Sequence, residues 1–547
     1  MCINNAKLLS YILALCVMIY GSVEAQANDS SMFKPTVKQS RTDSTKKAQN
    51  PILWADVPDI AIVRVGRTYY MSSTTMHMNP GLPIMKSTDL VNWQIASYAY
   101  ETLADTDELN LKDGKNDYSK GSWASSLAYH DGTFYATTFS LSTGKTYVFS
   151  TKNPNETPWK AISFTPLFGD HSLFFEDDGR AYIVHGNNGQ MRMTELKPDL
   201  TGVKPGGLDQ AIIPNASKVA PGTVGLPAEG SQFRKINGKY YLCNIVWPKK
   251  DMRTEIIHRA DKLTGPYEGK VMFHDQGIAQ GGLIDTPNGE WYAYLFQDHG
   301  AVGRIPFLVP VKWVDGWPVL GVDGKASATL DLPASKRGVF GIVASDEFNR
   351  KPGDRPLPLA WQWNHNPDNA NWSLTAHPGS LRLTSGRVDS ELSQARNTLT
   401  QRTFGPESSA TTMIDVSHMK DGDLAGLTVF QKKYGLVGVK ATGDGRSIVM
   451  ISARSNKPEE IASIPLTQRT VFLKIDCDFK DRIDKAYFYY SLNGKDWSAI
   501  GEPLHMVYDI PHFMGYRFGL FNFATKTVGG FVDFDFFRLS DTITVSQ

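Results

Sequence analysis

The chain is predicted to be all-β, a five-bladed β-propeller followed by a β-sandwich, and three observations predict it. A hairpin signal recurs five times in the first half of the chain. No long amphipathic helical pattern separates the copies. The later text, as in SLTAHPGSLRL and ATTMIDVS, alternates apolar and polar residues with the period of half-buried strands. The length agrees, because 547 residues exceed one ordinary core and two domains are the default.

The hairpin signal is a turn glycine between an apolar strand and an aromatic one. It reads VRVGRTYYMSS at Gly66, LAYHDGTFYATT at Gly132 and FFEDDGRAYIVHG at Gly179. It returns as FRKINGKYYLCNI at Gly238 and LIDTPNGEWYAYLF at Gly289. Glycine after Asp or Asn is the strongest short-range hairpin signal, because tight turns require positive φ. The copies lie roughly 45–65 residues apart, the period range of propeller blades.

The expected boundaries follow. Residues 1–25 read as an export signal: Lys7, then LLSYILALCVMIYG, then Val23-Glu24-Ala25 as a small-x-small cleavage site. The apolar run is short for a membrane span. Residues 26–50 are polar and read as a flexible leader. The propeller is expected over 51–325, a linker over 326–341 and the sandwich over 342–547. With no lipidation signal, the expected destination is the periplasm, the cell exterior being the alternative.

Composition narrows the function. Hydrophobic content of 41% and charged content of 21% are ordinary for a globular protein. A net charge of +1 argues against a nucleic-acid partner. The 12 Trp and 11% aromatic content suit a β-rich protein and sugar binding. Cys2 and Cys16 fall in the export segment. Cys243 and Cys477 sit alone in apolar text, with no metal-ligand spacing, and read as small buried hydrophobes. No GxSxG, HExxH or P-loop is present, so serine hydrolase, zinc peptidase and nucleotide chemistry find no support.

The first strand of each blade lines the central channel, and its entrance end is the natural place for a site. Counting nine residues back from the turn glycine gives Trp123, Asp170, Glu229 and Gln280 in blades two to five. In blade one Asp59 lies seven back from Gly66. Three of these five positions hold carboxylates. Acids gathered in one partly desolvated pocket have their pKa values pushed apart, as acid–base chemistry requires. Glu176, Asp177 and Asp178 differ: they form the hairpin loop itself.

These residues carry a resemblance to glycoside hydrolase family 43. The propeller half resembles it in WADVPDIAIVRVGRTYYM, PGLPIMKSTDLVNW, DHSLFFEDDGRAYIVHG, PAEGSQFRKINGKYYL and GRIPFLVPVKWVDGWPV. The stretch from SDEF at Ser345 to DFDFFRL resembles the concanavalin-like sandwich of the β-xylosidase and α-L-arabinofuranosidase branch. The resemblance implies Asp59 as general base, Glu229 as general acid and Asp170 as the carboxylate that tunes and orients the acid. It implies a sugar contact from Arg304 and places Trp123 in a WAPS-like segment, here WASS. It implies inversion, with the Asp59 and Glu229 carboxyls roughly 6.5–9.5 Å apart to admit a water. No cofactor and no metal ion is expected.

The chain departs from the family pattern in three places. Ile60 stands where the family has Pro, and Gln280 stands where it often has His. The loop after the first hairpin reads MHMNPG, where β-xylosidases of this branch carry bulky aromatics. His77 in that loop and His299 in QDHGAVG are expected to contact sugar, without a catalytic role. The implied reaction is exo-acting release of non-reducing-end α-L-arabinofuranose from plant cell-wall polysaccharide or oligosaccharide, with xyloglucan as one candidate parent. A β-D-xylosidase is the alternative, and a non-catalytic sugar-binding propeller is a reading from another class.

Overall fold

The computed structural model describes residues 47–544 apart from 352, 456, 510 and 511. The predicted export segment, Cys2, Cys16 and most of the predicted leader lie outside the described residues. Among the described residues no helix is long and apolar enough to cross a membrane, and only short 3-10 turns interrupt the strands.

Five four-stranded antiparallel sheets follow one another between Ala61 and Leu320. Their inner hairpins are the five repeats. Ile236 pairs with Lys239 across Asn237-Gly238, and His130 pairs with Thr133 across Asp131-Gly132. All four turn residues have positive φ, the geometry that selects Asn-Gly and Asp-Gly. Blades three and five differ: Phe175 pairs with Ala181, and Asp285 with Trp291, across five-residue turns.

The turn lengths correct the register expected from counting. Asp59, Asp170 and Gln280 each have positive φ and each stand two residues before a regular pair, Ala61–Ser72, Ser172–Val184 and Gly282–Tyr294. In blade four the residue so placed is Gly230, two before the pair Gln232–Cys243. Glu229 stands one residue earlier, across an irregularity in the ladder. In blade two the corresponding residue is Ala124, two before Ser126–Thr137, and Trp123 is one step further out. A fixed count back from the glycine cannot hold when two-residue and five-residue turns alternate.

Two further expectations are corrected. Residues 47–49, assigned to the leader, form a strand that pairs with 329–333, inside the assigned linker. The MHMNPG segment, read as a loop, is partly a strand. Met78–Asn79 pairs with Trp363–Asn364 and becomes the edge strand of a sandwich sheet.

That sheet has eight strands and continues through Leu399–Arg402, Arg517–Ala524 and Asp423–Phe430. The second sheet centres on Phe531–Ser540, Glu407–Asp415 and Thr470–Asp478. Trp361 and Trp363 are buried sandwich residues. Trp361 donates from Nε1 to Asp346 Oδ2 (2.9 Å) and packs on Phe537, while Trp363 meets Trp372. Burial of each such side chain stabilises the fold by about 1.5–3 kcal/mol. Cys243 and Cys477 are buried free thiols.

Candidate active site

The pocket at the propeller axis is lined by residues from several blades, among them Asp59, Ser125, Asp170, Gly230 and Gln280. Asp59 is held on both carboxylate oxygens. Oδ1 accepts from Gln280 Nε2 (2.9 Å) and Arg304 Nη1 (2.8 Å), and Oδ2 accepts from Thr74 Oγ1 (2.7 Å). Charge-assisted bonds of this kind are the strong ones. The left-handed backbone of Asp59, φ 51°, is costly for a non-glycine residue and persists where surrounding contacts over-determine it.

Gln280 is itself braced. Its backbone N–H donates to Glu255 Oε2 (2.6 Å). Glu255 is fully buried, and burial pushes its carboxyl well above the usual range despite donors from the 280 and 281 amides. Gly281 has no room for a side chain: a Cβ there would stand 1.8 Å from the Tyr294 carbonyl oxygen.

Asp170 lines the same pocket and Glu229 stands next to its Gly230, neither side chain with such ties among the described residues. Burial first, then the charges of Glu229 and Asp59, push Asp170 well above its ordinary value. Burial and then Asp59 also raise Glu229, while Arg253 and Arg304 act against the rise. The two interact strongly enough to titrate as a pair. Together they retain a proton to higher pH than a lone surface carboxylate would.

The pocket therefore combines a fixed carboxylate with a proton-holding pair. A fixed carboxylate can accept a proton from water, and a raised carboxyl can give one to a leaving oxygen.

Asp56, the other acid of the opening strand, has a different position. It is buried, accepts from the Arg304 amide (2.8 Å) and the Gly515 amide (3.1 Å), and its carbonyl accepts from Arg402 Nε (2.8 Å). It joins the pocket wall to the sandwich. A Cβ at Gly303 would stand 2.2 Å from Asp56 Oδ1, so this approach needs glycine.

Three pocket-side residues were missed in the sequence. The Arg304 guanidinium lies over the rings of Phe296 (5.2 Å) and Phe513 (4.6 Å). Phe513 comes from the sandwich, with φ 55°, and its ring meets Trp123 at 4.9 Å. Arg253 pairs with Asp298 (2.8 Å) and lies over Trp247. Tyr508 is mostly buried close to Arg304 and the acids, and burial raises its phenol. Only a tyrosine and a phenylalanine in a loop 450 residues from Asp59 hinted at this, and no local pattern marks them.

His77 is corrected, and His299 lies apart from the three acids. His77 is fully buried, stacked on His365 (4.7 Å) with Tyr118 and His512 edge-on. Burial holds it well below its ordinary value, and it is not among the residues that line the axial pocket. His299 bonds to Gln297 Oε1 (2.9 Å) and sits edge-on to Trp54, with no contact to the three acids. Of the other expected sugar contacts, Arg304 and Gln280 bond Asp59 directly, and Trp123 stands at the rim beside Phe513.

Residues 48–318 match the model of glycosyl hydrolases family 43, and residues 345–540 match the beta xylosidase C-terminal concanavalin A-like domain. A curated β-xylosidase of Formosa agariphila is 30% identical, the match covering 89% of each chain. A non-reducing end α-L-arabinofuranosidase of Bacteroides ovatus is 29% identical, over 70% of this chain and 74% of that one. A solved structure of a bifunctional GH43-CE protein of Bacteroides eggerthii is 59% identical with a TM-score of 0.90, covering 91% of this chain. The present chain spans 64% of the length of that bifunctional one. With a five-bladed propeller, a concanavalin-like sandwich and these relatives, the chain belongs to glycoside hydrolase family 43.

Proposed function

We propose that the protein is an exo-acting, inverting α-L-arabinofuranosidase that trims terminal arabinose from plant cell-wall polysaccharide or its oligosaccharides, xyloglucan being one candidate parent. The observation that carries the mechanism is the contrast at the axis: Asp59 held by three donors, Glu229 with a raised carboxyl and no side-chain hydrogen bond among the described residues. In this reading Glu229 protonates the glycosidic oxygen while Asp59 draws a proton from the attacking water. Asp170, coupled to Glu229, is the carboxylate that tunes and orients it. Arg304 and Gln280 fix Asp59 and reach the bound sugar.

Exo action is supported by the sandwich loop. Phe513 meets Trp123 at the rim and narrows the opening on that side. The choice of arabinofuranose is supported by the loop after the first hairpin, whose Met76, His77 and Met78 are buried and offer the pocket no aromatic platform. A β-D-xylosidase is the second reading, favoured by the β-xylosidase at 30% identity and by the name of the C-terminal domain.

The test is kcat/KM on aryl α-L-arabinofuranoside and aryl β-D-xyloside side by side, with Glu229→Gln as control. Preference for the arabinofuranoside, lost in the control, is expected. A xyloside preference selects the second reading. No turnover of either sugar overturns both. Export to the periplasm is part of the proposal, supported by the Val23-Glu24-Ala25 pattern. A mature N-terminus at Gln26 is expected by Edman sequencing, and an uncleaved chain in the cytoplasmic fraction contradicts it.

A further inference from the structure

A second pocket, roomier than the axial one at about 50 against 10 Å³, opens in the sandwich. It lies where the two sheets part, with Thr384 from one sheet and Asn522 from the other. Neither the family chemistry nor the packing of the core uses it.

Its polar groups are only partly satisfied. Asn522 is 3% exposed and donates from Nδ2 to the Leu383 carbonyl (2.9 Å), yet its Oδ1 is buried without a partner among the described residues. Asp389 accepts from Arg387 Nε on Oδ1 (2.8 Å), and no protein donor meets its Oδ2 among the described residues. Arg396 donates to the carbonyls of Asn366 (3.2 Å) and Pro367 (3.2 Å) and to Asn110 Oδ1 (3.3 Å). It has no carboxylate within ion-pair distance among the described residues, and its Nη1 is unused. A buried oxygen left without a donor is costly, typically 1–3 kcal/mol, and marks a place where a ligand or water completes the set.

The chemistry selects the ligand. Two acceptors and one donor sit on residues that line one space, and a sugar hydroxyl both donates and accepts. Asp368 and Asp389 balance Arg387 and Arg396, so the pocket favours a neutral ligand over an anion. The pocket is also tied to a propeller segment. Arg387 Nη1 donates to the Asn110 carbonyl (3.2 Å), and Asn110 lies in the segment that leads from the outer strand of blade one to Trp123 and Ala124 at the axis.

We propose that this sandwich pocket is a second carbohydrate-binding site, which holds a neutral pentose-containing stretch of the polysaccharide while the propeller trims it. The substrate class rests on the function proposed above, whereas the existence of the site does not. The test uses xylohexaose and arabinohexaose as probes, titrated calorimetrically into the full-length Glu229→Gln protein, which binds at the axis without turnover. Two binding events are expected with one of the two probes. Adding Thr384→Tyr fills the pocket without removing a side-chain hydrogen bond, and it should abolish one event and spare the other. In the otherwise native protein, Thr384→Tyr should leave kcat/KM on an aryl pentoside unchanged and lower it several-fold on polymeric arabinoxylan or arabinan.

A single binding event with both probes, unaffected by Thr384→Tyr, overturns the proposal. So does an equal loss on aryl and polymeric substrates. Unchanged aryl turnover also shows that the variant folds. Absence of aryl turnover in the native protein would instead strike the function proposed for the axis and leave the titration to judge the sandwich pocket alone.

Discussion

The mouths of blades one and four do opposite things with the same backbone device. In blade one the left-handed position is occupied by Asp59 itself, and three donors converge on its carboxylate. In blade four a glycine, Gly230, takes the left-handed position, and the acid steps out by one residue. Glu229 keeps a raised carboxyl with no side-chain hydrogen bond among the described residues. One site immobilises a carboxylate, the proposed base, and the other leaves the proposed acid free of such bonds. The lesson is that a repeated fold can split two carboxylates into two roles by a one-residue shift, without changing residue chemistry.

The largest expected effect comes from removing the held base. Asp59→Asn keeps the shape and the acceptor for Arg304 but cannot take a proton. Its kcat should fall by roughly 10²–10⁴-fold, whatever the leaving group, as removal of a general base typically does. Steady-state rates on aryl glycosides measure it, and a loss that varied with leaving-group acidity would break the assignment.

The next effect sharpens the blade-four side of the contrast. Burial and the charge of Glu229 raise Asp170, so the coupled pair holds its last proton to raised pH. Asp170→Asn leaves one titrating carboxyl in place of the coupled pair, so Glu229 should lose its proton at lower pH than the pair loses its last. The alkaline limb of the kcat/KM profile should move toward acid, with the acid limb less affected. A limb moved toward higher pH, or left in place, would contradict the coupling.

The smallest effect probes the backbone. Gly230→Ala places a side chain at φ 64°, where its Cβ would stand 2.9 Å from Gln280 Cγ. The left-handed conformation alone costs about 1–2 kcal/mol for a residue with a Cβ. Thermal unfolding should drop by a few degrees, with kcat reduced more than KM is changed, because Glu229 is displaced from the leaving oxygen. An unaltered Tm with native kcat would show that the glycine is not what sets Glu229 apart.

Much of this architecture was legible in the sequence because its signals are local. Asn237-Gly238 and Asp131-Gly132 announce their turns through φ alone, and aromatic strands follow at once. The acids at the strand mouths were legible for the same reason. The register was not fully so, since five-residue turns at 176–180 and 286–290 break a fixed count. What could not be read was long-range. Gln280 meets Asp59 across 221 residues. Phe513 reaches Arg304 from the other domain. His77 looked like a loop residue because nothing nearby in sequence shows that Met78–Asn79 is captured by a sandwich sheet, which buries its neighbour. The second half of the sandwich pocket was equally hidden, because Asp389, Arg396 and Asn522 meet only through the fold.

The most direct test of the central claim is a leaving-group series for the native protein and Glu229→Gln, on aryl glycosides of the preferred sugar. If Glu229 is the proton donor, the variant should lose roughly 10²–10⁴-fold on a poor phenol leaving group. It should lose far less on 2,4-dinitrophenol, which departs without protonation. An equal loss across the series would mean that Glu229 does something other than deliver the proton, and the contrast between the two blade mouths would fail.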